Sequence, residues 1–236
     1  MTPVDDGDWT ARRAAARGRH AARYDAAAAR DYAATPGLGW LGESECEAYL
    51  DDLRAALDLR PGLAVLDVGA GSGALCGVLV RVAGLALTAL EPSPAMLAEL
   101  RARPELAAVT TVEGSTDAEH DGARFAPASF DLVVARQVAN GLFDPLRAFR
   151  HWHRWLRPGG HVAVIEGLYG REDWRDDWAE EVDVLPLAAC QTLATVPYLL
   201  EAAAFRIARA ARMARVNALP TTRTPRYLVV AGRGAG

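Results

Sequence analysis

Five short apolar runs, near residues 63–68, 86–91, 108–113, 130–135 and 161–166, have strand length, and the segments between them read mostly as helices or long turns. Strands that alternate with helices bury both faces of a sheet, which predicts a parallel, doubly wound arrangement joined by right-handed crossovers. Two further strands near 206–215 and 226–231 complete the pattern. With 236 residues and 51% hydrophobic side chains the chain can bury a core of its own, and one α/β domain is expected.

The flanks of this pattern differ from its centre. Residues 9–32, "WTARRAAARGRHAARYDAAAARDY", are rich in helix formers interrupted only by Gly18, and "ATPGLGW" then breaks them, so residues 1–42 read as a helical arm. In the next helix Ser44-Glu45-Cys46-Glu47 resembles a capping box, with Cys46, Tyr49, Leu50, Leu53 and Leu57 on one face. A later helix is marked by Asp144 as its cap and Pro145 in its first turn, with Pro158-Gly159-Gly160 as its stop. The central pattern, 43–167, gives way to an acidic, tryptophan-containing insertion and a helix, 168–204, before the final strands in 205–236.

The net charge is −4, and all 26 basic residues are arginine with no basic tract. That balance disfavours nucleic-acid backbones, which need clustered positive charge, and favours a small-molecule partner. Cys46, Cys76 and Cys190 form no metal-binding spacing, so no metal site is expected, and they fit a reducing cytoplasm. No apolar run reaches the roughly 18 residues of a membrane span. A soluble, cytoplasmic protein without a membrane partner is therefore expected; the oligomeric state is not legible.

The first strand ends in "VLDVGAGSG", residues 65–73. A glycine-rich turn from strand to helix lets backbone approach a ligand and presents helix N-terminal amides to it. The spacing is G-x-G-x-G at Gly69, Gly71 and Gly73, unlike the dinucleotide fingerprint, and position 74 is alanine where a phosphate loop needs lysine. The second strand ends in Glu91, about 18 residues beyond Gly73. Carboxyl ends of neighbouring strands share one crevice, so Glu91 would face the ligand and accept hydrogen bonds from ribose hydroxyls. That geometry suits NAD as well as other adenosyl compounds; a solvent-facing glutamate before Pro92 is the plain alternative.

"VLDVGAGSG", "LEPSPAML", "FDLVVARQVANGLFDP" and "WLRPGGHVAVIEG" follow one another in the order of the motifs of class I S-adenosylmethionine-dependent methyltransferases. The chain resembles in particular their small-molecule branch, which includes ubiquinone and menaquinone biosynthesis enzymes. This resemblance implies a Rossmann-like, doubly wound, mostly parallel seven-stranded sheet and S-adenosylmethionine as cofactor, released as S-adenosylhomocysteine. It also implies that Asp67 and the backbone at Gly69 and Gly71 hold the amino-acid end, that Glu91 takes the ribose, and that Met96 lies against adenine; an ordinary core methionine is the alternative there. The adenine contact after the third strand falls in Glu113-Gly114-Ser115-Thr116-Asp117-Ala118, on Ser115 and Thr116 or, with the register moved, on Asp117. Arg136 and Gln137 are expected beside the sulfonium and the substrate entrance.

Methyl transfer from a sulfonium is an in-line displacement that expels a neutral group, so alignment can supply roughly 7–11 kcal/mol of the acceleration. A base is needed only when the acceptor must lose a proton. Relatives often carry a histidine pair where this chain has Ala139-Asn140, so no base carries over directly. The candidates for acid/base or orienting work are His20 and Tyr24, four apart on one predicted lid face, with Asn140, Glu166 and Tyr169. His151 and His153 read as structural. Trp174, Trp178 and Val182, at i, i+4 and i+8, fit either an amphipathic helix packed inward or an aromatic, acidic wall for an electron-rich or cationic acceptor. The expected reaction is methylation of a small organic acceptor in specialised metabolism, oxygen slightly favoured over nitrogen or carbon. An NAD-dependent oxidoreductase and a non-catalytic S-adenosylmethionine-binding module are the competing readings.

Overall fold

The computed structural model of this chain describes residues 6–175 and 177–234. The first five residues of the polar N-terminal stretch, Asp176 of the insertion and the last two residues lie outside the described ones. In chain order come helices α1 (Asp6–Ala22), α2 (Ala26–Ala34) and α3 (Glu43–Arg54), strand β1 (Ala64–Val68), α4 (Ala74–Leu79), β2 (Ala86–Glu91), α5 (Pro94–Arg101), β3 (Thr110–Glu113) and β4 (Phe130–Arg136). Then follow α6 (Pro145–Trp155), β5 (Leu156–Gly167), α7 (Asp177–Glu181), α8 (Thr195–Ala202), β6 (Arg206–Arg212), α9 (Ala214–Asn217) and β7 (Arg226–Gly232).

The seven strands lie in the order β3-β2-β1-β4-β5-β7-β6, parallel from β3 to β5, with β7 antiparallel to both its neighbours. The order reverses direction between β1 and β4, and beyond the carboxyl ends of such strands a crevice opens for ligand. The apolar runs lack alternation because both faces are covered. Leu66, Val162, Val164 and Val229 join Phe149, Trp152 and Trp155 of α6 and Leu200 of α8 on one face. Val65, Ala163, Ile165 and Val230 join Tyr49 and Leu53 of α3 and Leu79 of α4 on the other. None of the described helices is long and apolar enough to cross a membrane.

Four local expectations shift. The arm breaks not at Gly18 but at residues 23–25, where the Asp25 side chain accepts the amides of Ala27 and Ala28 at 2.9 Å and starts α2. A cap that satisfies two amides outweighs one exposed helical glycine, a cost of about 1 kcal/mol. Tyr24 therefore sits between helices, and the predicted shared helical face of His20 and Tyr24 does not exist. At α3 the reciprocal bond runs from the Gly42 amide to Glu45 Oε2 (2.9 Å), two residues earlier than the Ser44–Glu47 reading. Cys46, Tyr49, Leu50 and Leu53 are buried as expected, while Leu57 packs on the same core from beyond the helix end.

Asp144 caps α6 through the Arg147 amide at 3.0 Å, as read, but α6 stops at Trp155. Pro158-Gly159-Gly160 falls inside β5, where the β4–β5 register shifts between Phe130 and Leu132, so the bend is absorbed as an irregularity within the strand. The tryptophan segment is not one long helix either: α7 spans only Asp177–Glu181, and Trp174 precedes it. Trp174 Nε1 donates to Ala188 O (2.9 Å) and its ring packs at 5.4 Å from Trp178, so the insertion folds on its own aromatic pair.

Candidate functional site

The β1–α4 turn is the floor of the site. Gly69 and Gly71 have φ of +63° and +55°, left-handed values that disfavour side chains. A β-carbon on Gly69 would lie 2.5 Å from Val138 Cγ2, so this glycine also lets the β1 and β4 ends approach each other. Gly69 and Ala70 donate their amides to Leu90 O at 2.7 and 3.1 Å, tying the turn to the end of β2.

Glu91 ends β2 and is 7% exposed. Its Oε2 accepts the Gly71 amide (3.0 Å) and its Oε1 the Ser93 amide (2.9 Å). A carboxylate has about four lone-pair sites, so two remain for other donors. Burial pushes its pKa up, partly offset by these two amides. Above it opens a cavity of about 750 Å³, within the range of small-molecule sites.

Glu91, Gly69, Gly71, Met96, Ser115, Thr116 and Asp117 all line this cavity. Met96 is 2% exposed, so the core and cavity-wall readings of it coincide. The loop after β3 divides its tasks. Asp117 accepts the Phe143 and Asp144 amides on Oδ2 (2.7 and 3.1 Å) and Arg17 on Oδ1 (2.7 Å), and Arg17 and these amides hold its carboxyl below the usual range against the opposing effect of burial. Thr116 Oγ1 accepts Trp152 Nε1 at 2.6 Å. Ser115, bonded only to Asp117 Oδ1 at 3.3 Å, is the loosest of the three.

Asp67 and Arg136 stand elsewhere than expected. Both line a small space of about 20 Å³, room for about one water, that adjoins the large cavity and shares Tyr32, Leu38, Gly69 and Gly71 with it. Asp67, 1% exposed, accepts Cys76 Sγ at 3.2 Å, and burial pushes its pKa up to about 7. Arg136 donates to Leu38 O (3.1 Å) and Gly37 O (2.5 Å), with its guanidinium 5.2 Å from the Tyr49 ring centre. The two carbonyls take the terminal guanidinium nitrogens, leaving Nε without a partner among the described residues, and the contact anchors the segment after α2.

Glu166 also departs from the acid/base role expected of it. It is 2% exposed and absent from the large cavity's wall, and its Oε1 accepts the Val138 and Ala139 amides at 2.8 and 2.7 Å. Burial pushes its pKa up to about 7. It holds the turn after β4, so that Gln137 (φ +56°), Val138 and Asn140 face the cavity. Gln137 Nε2 donates to Tyr169 Oη (2.5 Å), whereas its buried Oε1 has no partner among the described residues. Tyr169 also accepts from Arg226. Such an orphaned acceptor on a cavity wall fits a ligand donor.

The far wall comes from the arm and the insertion: Arg17, His20 and Tyr24 from one, Trp174, Arg175 and Trp178 from the other. They meet at Glu181, fully buried, whose oxygens accept Arg23 at 3.1 and 2.8 Å and lie 3.4 Å from His20 Nδ1. Arg23 stacks 3.6 Å over the Trp178 ring. The acidic residues of this segment are therefore partly paired: Glu181 with Arg23 and Asp183 with Arg171 at 2.5 Å, while Asp173 accepts the Gly170 amide at 2.8 Å. This clasp has no sequence pattern, because its members lie 158 and 161 residues apart. His151 and His153 stay outside the cavity: His151 Nδ1 lies 2.9 Å from Thr116 O, and His153 packs edge-on against Phe205.

Comparison with known proteins agrees with this geometry. Residues 66–164 match the family described as a methyltransferase domain. The chain is 31% identical over 171 residues to the biotin biosynthesis bifunctional protein BioCD of Bordetella avium, covering 72% of this chain and 34% of that protein. It is 33% identical over 113 residues to the ubiquinone biosynthesis O-methyltransferase of Xanthomonas campestris, covering 48% and 46%. The chain thus spans about a third of the first and under half of the second. Its structure is similar to an S-adenosylmethionine-dependent methyltransferase from Mesorhizobium loti, with TM-score 0.59 and 25% identity over 79% of this chain and 98% of that one. Matching motifs, strand order and cavity together show that the chain carries a domain of the class I S-adenosylmethionine-dependent methyltransferase family.

Proposed function

We propose that this chain transfers a methyl group from S-adenosylmethionine to a small organic acceptor, on oxygen in preference to nitrogen or carbon, within specialised metabolism. The observation that carries the reading is Glu91, whose carboxylate keeps two lone-pair sites facing the cavity above the Gly69–Gly71 turn. When bound, S-adenosylmethionine supplies a methyl group activated by a positively charged sulfur. Glu91 would accept its ribose hydroxyls, Met96 and the Ser115–Asp117 loop would flank its adenine, and the Gln137 Oε1 would accept from its ammonium group. Asp67 and Arg136 would act indirectly, by keeping the turn and the Gly37-Leu38 backbone in place.

Tyr24, Phe143 and Trp178 close the cavity with apolar surface and exclude water from the reacting atoms. Asn140 and Tyr169 stand where they can orient an acceptor. Oxygen is favoured on the acceptor side of the wall, where Arg17 engages Asp117 and so takes that carboxylate from an ammonium acceptor. The relative named as an O-methyltransferase points the same way. Calorimetry with S-adenosylhomocysteine and NADH, followed by product mass analysis over small acceptors, tests the reading. Binding of the first ligand only, with methylated product, is expected; NADH binding, or no affinity for S-adenosylhomocysteine, would refute it.

A further inference from the structure

We propose that His20, oriented by Glu181, is the general base that removes the proton from a neutral phenolic hydroxyl as that hydroxyl is methylated; this rests on the methyl-transfer reading above. The imidazole lies between the edges of two rings, 5.9 Å from Phe143 and 5.6 Å from Trp178, on the wall of the large cavity. One side of it is engaged: Nδ1 faces Glu181 Oε2 at 3.4 Å, and Glu181 is fully buried with both oxygens also held by Arg23. The other side, Nε2, carries no hydrogen bond among the described residues and lies beside Gly141, itself a cavity residue: a β-carbon placed there would be 3.9 Å from it.

A carboxylate that accepts from Nδ1–H fixes the tautomer with its lone pair on Nε2. The charged groups around the ring are Glu181 from α7, Arg17 and Arg19 from its own helix, Arg23 just beyond that helix, and Asp117 from the loop after β3. Burial dominates over Glu181 and holds the imidazole below its ordinary value, which favours the neutral ring with its Nε2 lone pair free to take a proton. The surrounding wall of Tyr24, Phe143, Tyr169, Trp174 and Trp178 suits a flat aromatic ring.

The balance is closed. The acceptor oxygen forms its bond to the methyl carbon as the carbon–sulfur bond breaks, with the bonding pair staying on sulfur as a neutral thioether. The hydroxyl proton passes to His20 Nε2, and the imidazolium then gives it to water. Glu181 is a positioning residue that neither gains nor loses the proton.

The test compares phenol, which has a pKa of about 10, with the much more acidic 4-nitrophenol as acceptors at pH 8. Methyl transfer is followed by product mass analysis, and S-adenosylhomocysteine affinity is measured by calorimetry on the same preparations. His20→Gln is expected to lower kcat for phenol about 100-fold, the lower bound of general-base effects. With 4-nitrophenolate, which needs no base, the loss should stay within about threefold. Glu181→Gln should show the same dependence on acceptor acidity with a smaller, roughly tenfold, loss for phenol. Equal losses for both acceptors would mean that His20 only packs, and no loss for phenol would remove it from the reaction; either overturns the proposal. Wild type that binds S-adenosylhomocysteine but methylates neither phenol overturns the phenolic acceptor alone, whereas absent binding overturns the methyl-transfer reading itself.

Discussion

Removal of the Glu91 carboxylate is the most direct perturbation of the site. In Glu91→Ala the Gly71 and Ser93 amides, now bonded to Oε2 and Oε1 at 3.0 and 2.9 Å, lose their acceptor. A buried donor left alone costs about 1–3 kcal/mol, so two cost about 2–6 kcal/mol, and at about 2–4 °C per kcal/mol for a chain of this size the melting temperature should fall by about 4–24 °C. The ligand loses a charge-assisted hydrogen bond contributing about 1.5–3 kcal/mol. Since 1.4 kcal/mol is tenfold in Kd, S-adenosylhomocysteine should bind roughly 10–100-fold more weakly. Calorimetry on wild type and variant, each with S-adenosylhomocysteine and its 2′-deoxy analogue, separates this from general loosening. The missing hydroxyl should weaken binding to wild type and hardly matter to the variant, a coupling that a purely structural glutamate does not produce. A folded Glu91→Ala protein with affinity within twofold of wild type would refute the assignment.

Three further outcomes follow from the same contacts. Glu166 has a folded pKa of about 7 against an ordinary 4.5, so its stability contribution is present below about pH 4.5 and lost as pH rises through about 7. Glu166→Gln, which keeps an oxygen for the Val138 and Ala139 amides, should gain on wild type by up to about 3 kcal/mol between pH 5 and 8 in urea titrations, whereas a pH-independent difference would contradict it. Trp152→Phe should cost about 1–3 kcal/mol, because Thr116 Oγ1 loses its 2.6 Å partner, and Trp152→Ala about 3–5 kcal/mol from the added void; a Trp152→Phe protein as stable as wild type in chemical denaturation would show that the hydrogen bond is unimportant. Asp117→Ala frees Arg17 and the Phe143 and Asp144 amides, so hydrogen exchange should rise in α1 and at residues 143–144 while the central strands stay protected.

The sheet and the cofactor crevice were legible in the chain because their determinants are local. Strand-length apolar runs, glycines at 69, 71 and 73 and an acid at the end of the second strand are written within short windows, and the parallel sheet brings them together by its topology alone. Helix ends were less legible: Asp25 outweighed Gly18, and the turn at Pro158-Gly159-Gly160 was absorbed inside β5, since both outcomes depend on which amides find acceptors after packing.

The acceptor side belongs to tertiary structure. The sequence left Trp174, Trp178 and the acidic residues around them as either an inward-packed helix face or an aromatic, acidic wall, because charge counts do not say which carboxylates remain free. Folding spends Glu181 on Arg23 and His20, and Asp117 on Arg17 and two amides, across separations of 26 to 161 residues. It likewise turns Asp67, Arg136 and Glu166 into supports, because a charged group sealed from water takes the nearest donors or acceptors available. Sequence by itself determined the mostly parallel sheet and the glycine turn with Glu91 beside it, a matter of local pattern. Only the packed structure decided which side chains stay unpaired in the cavity, since that depends on long-range contacts that no short window contains.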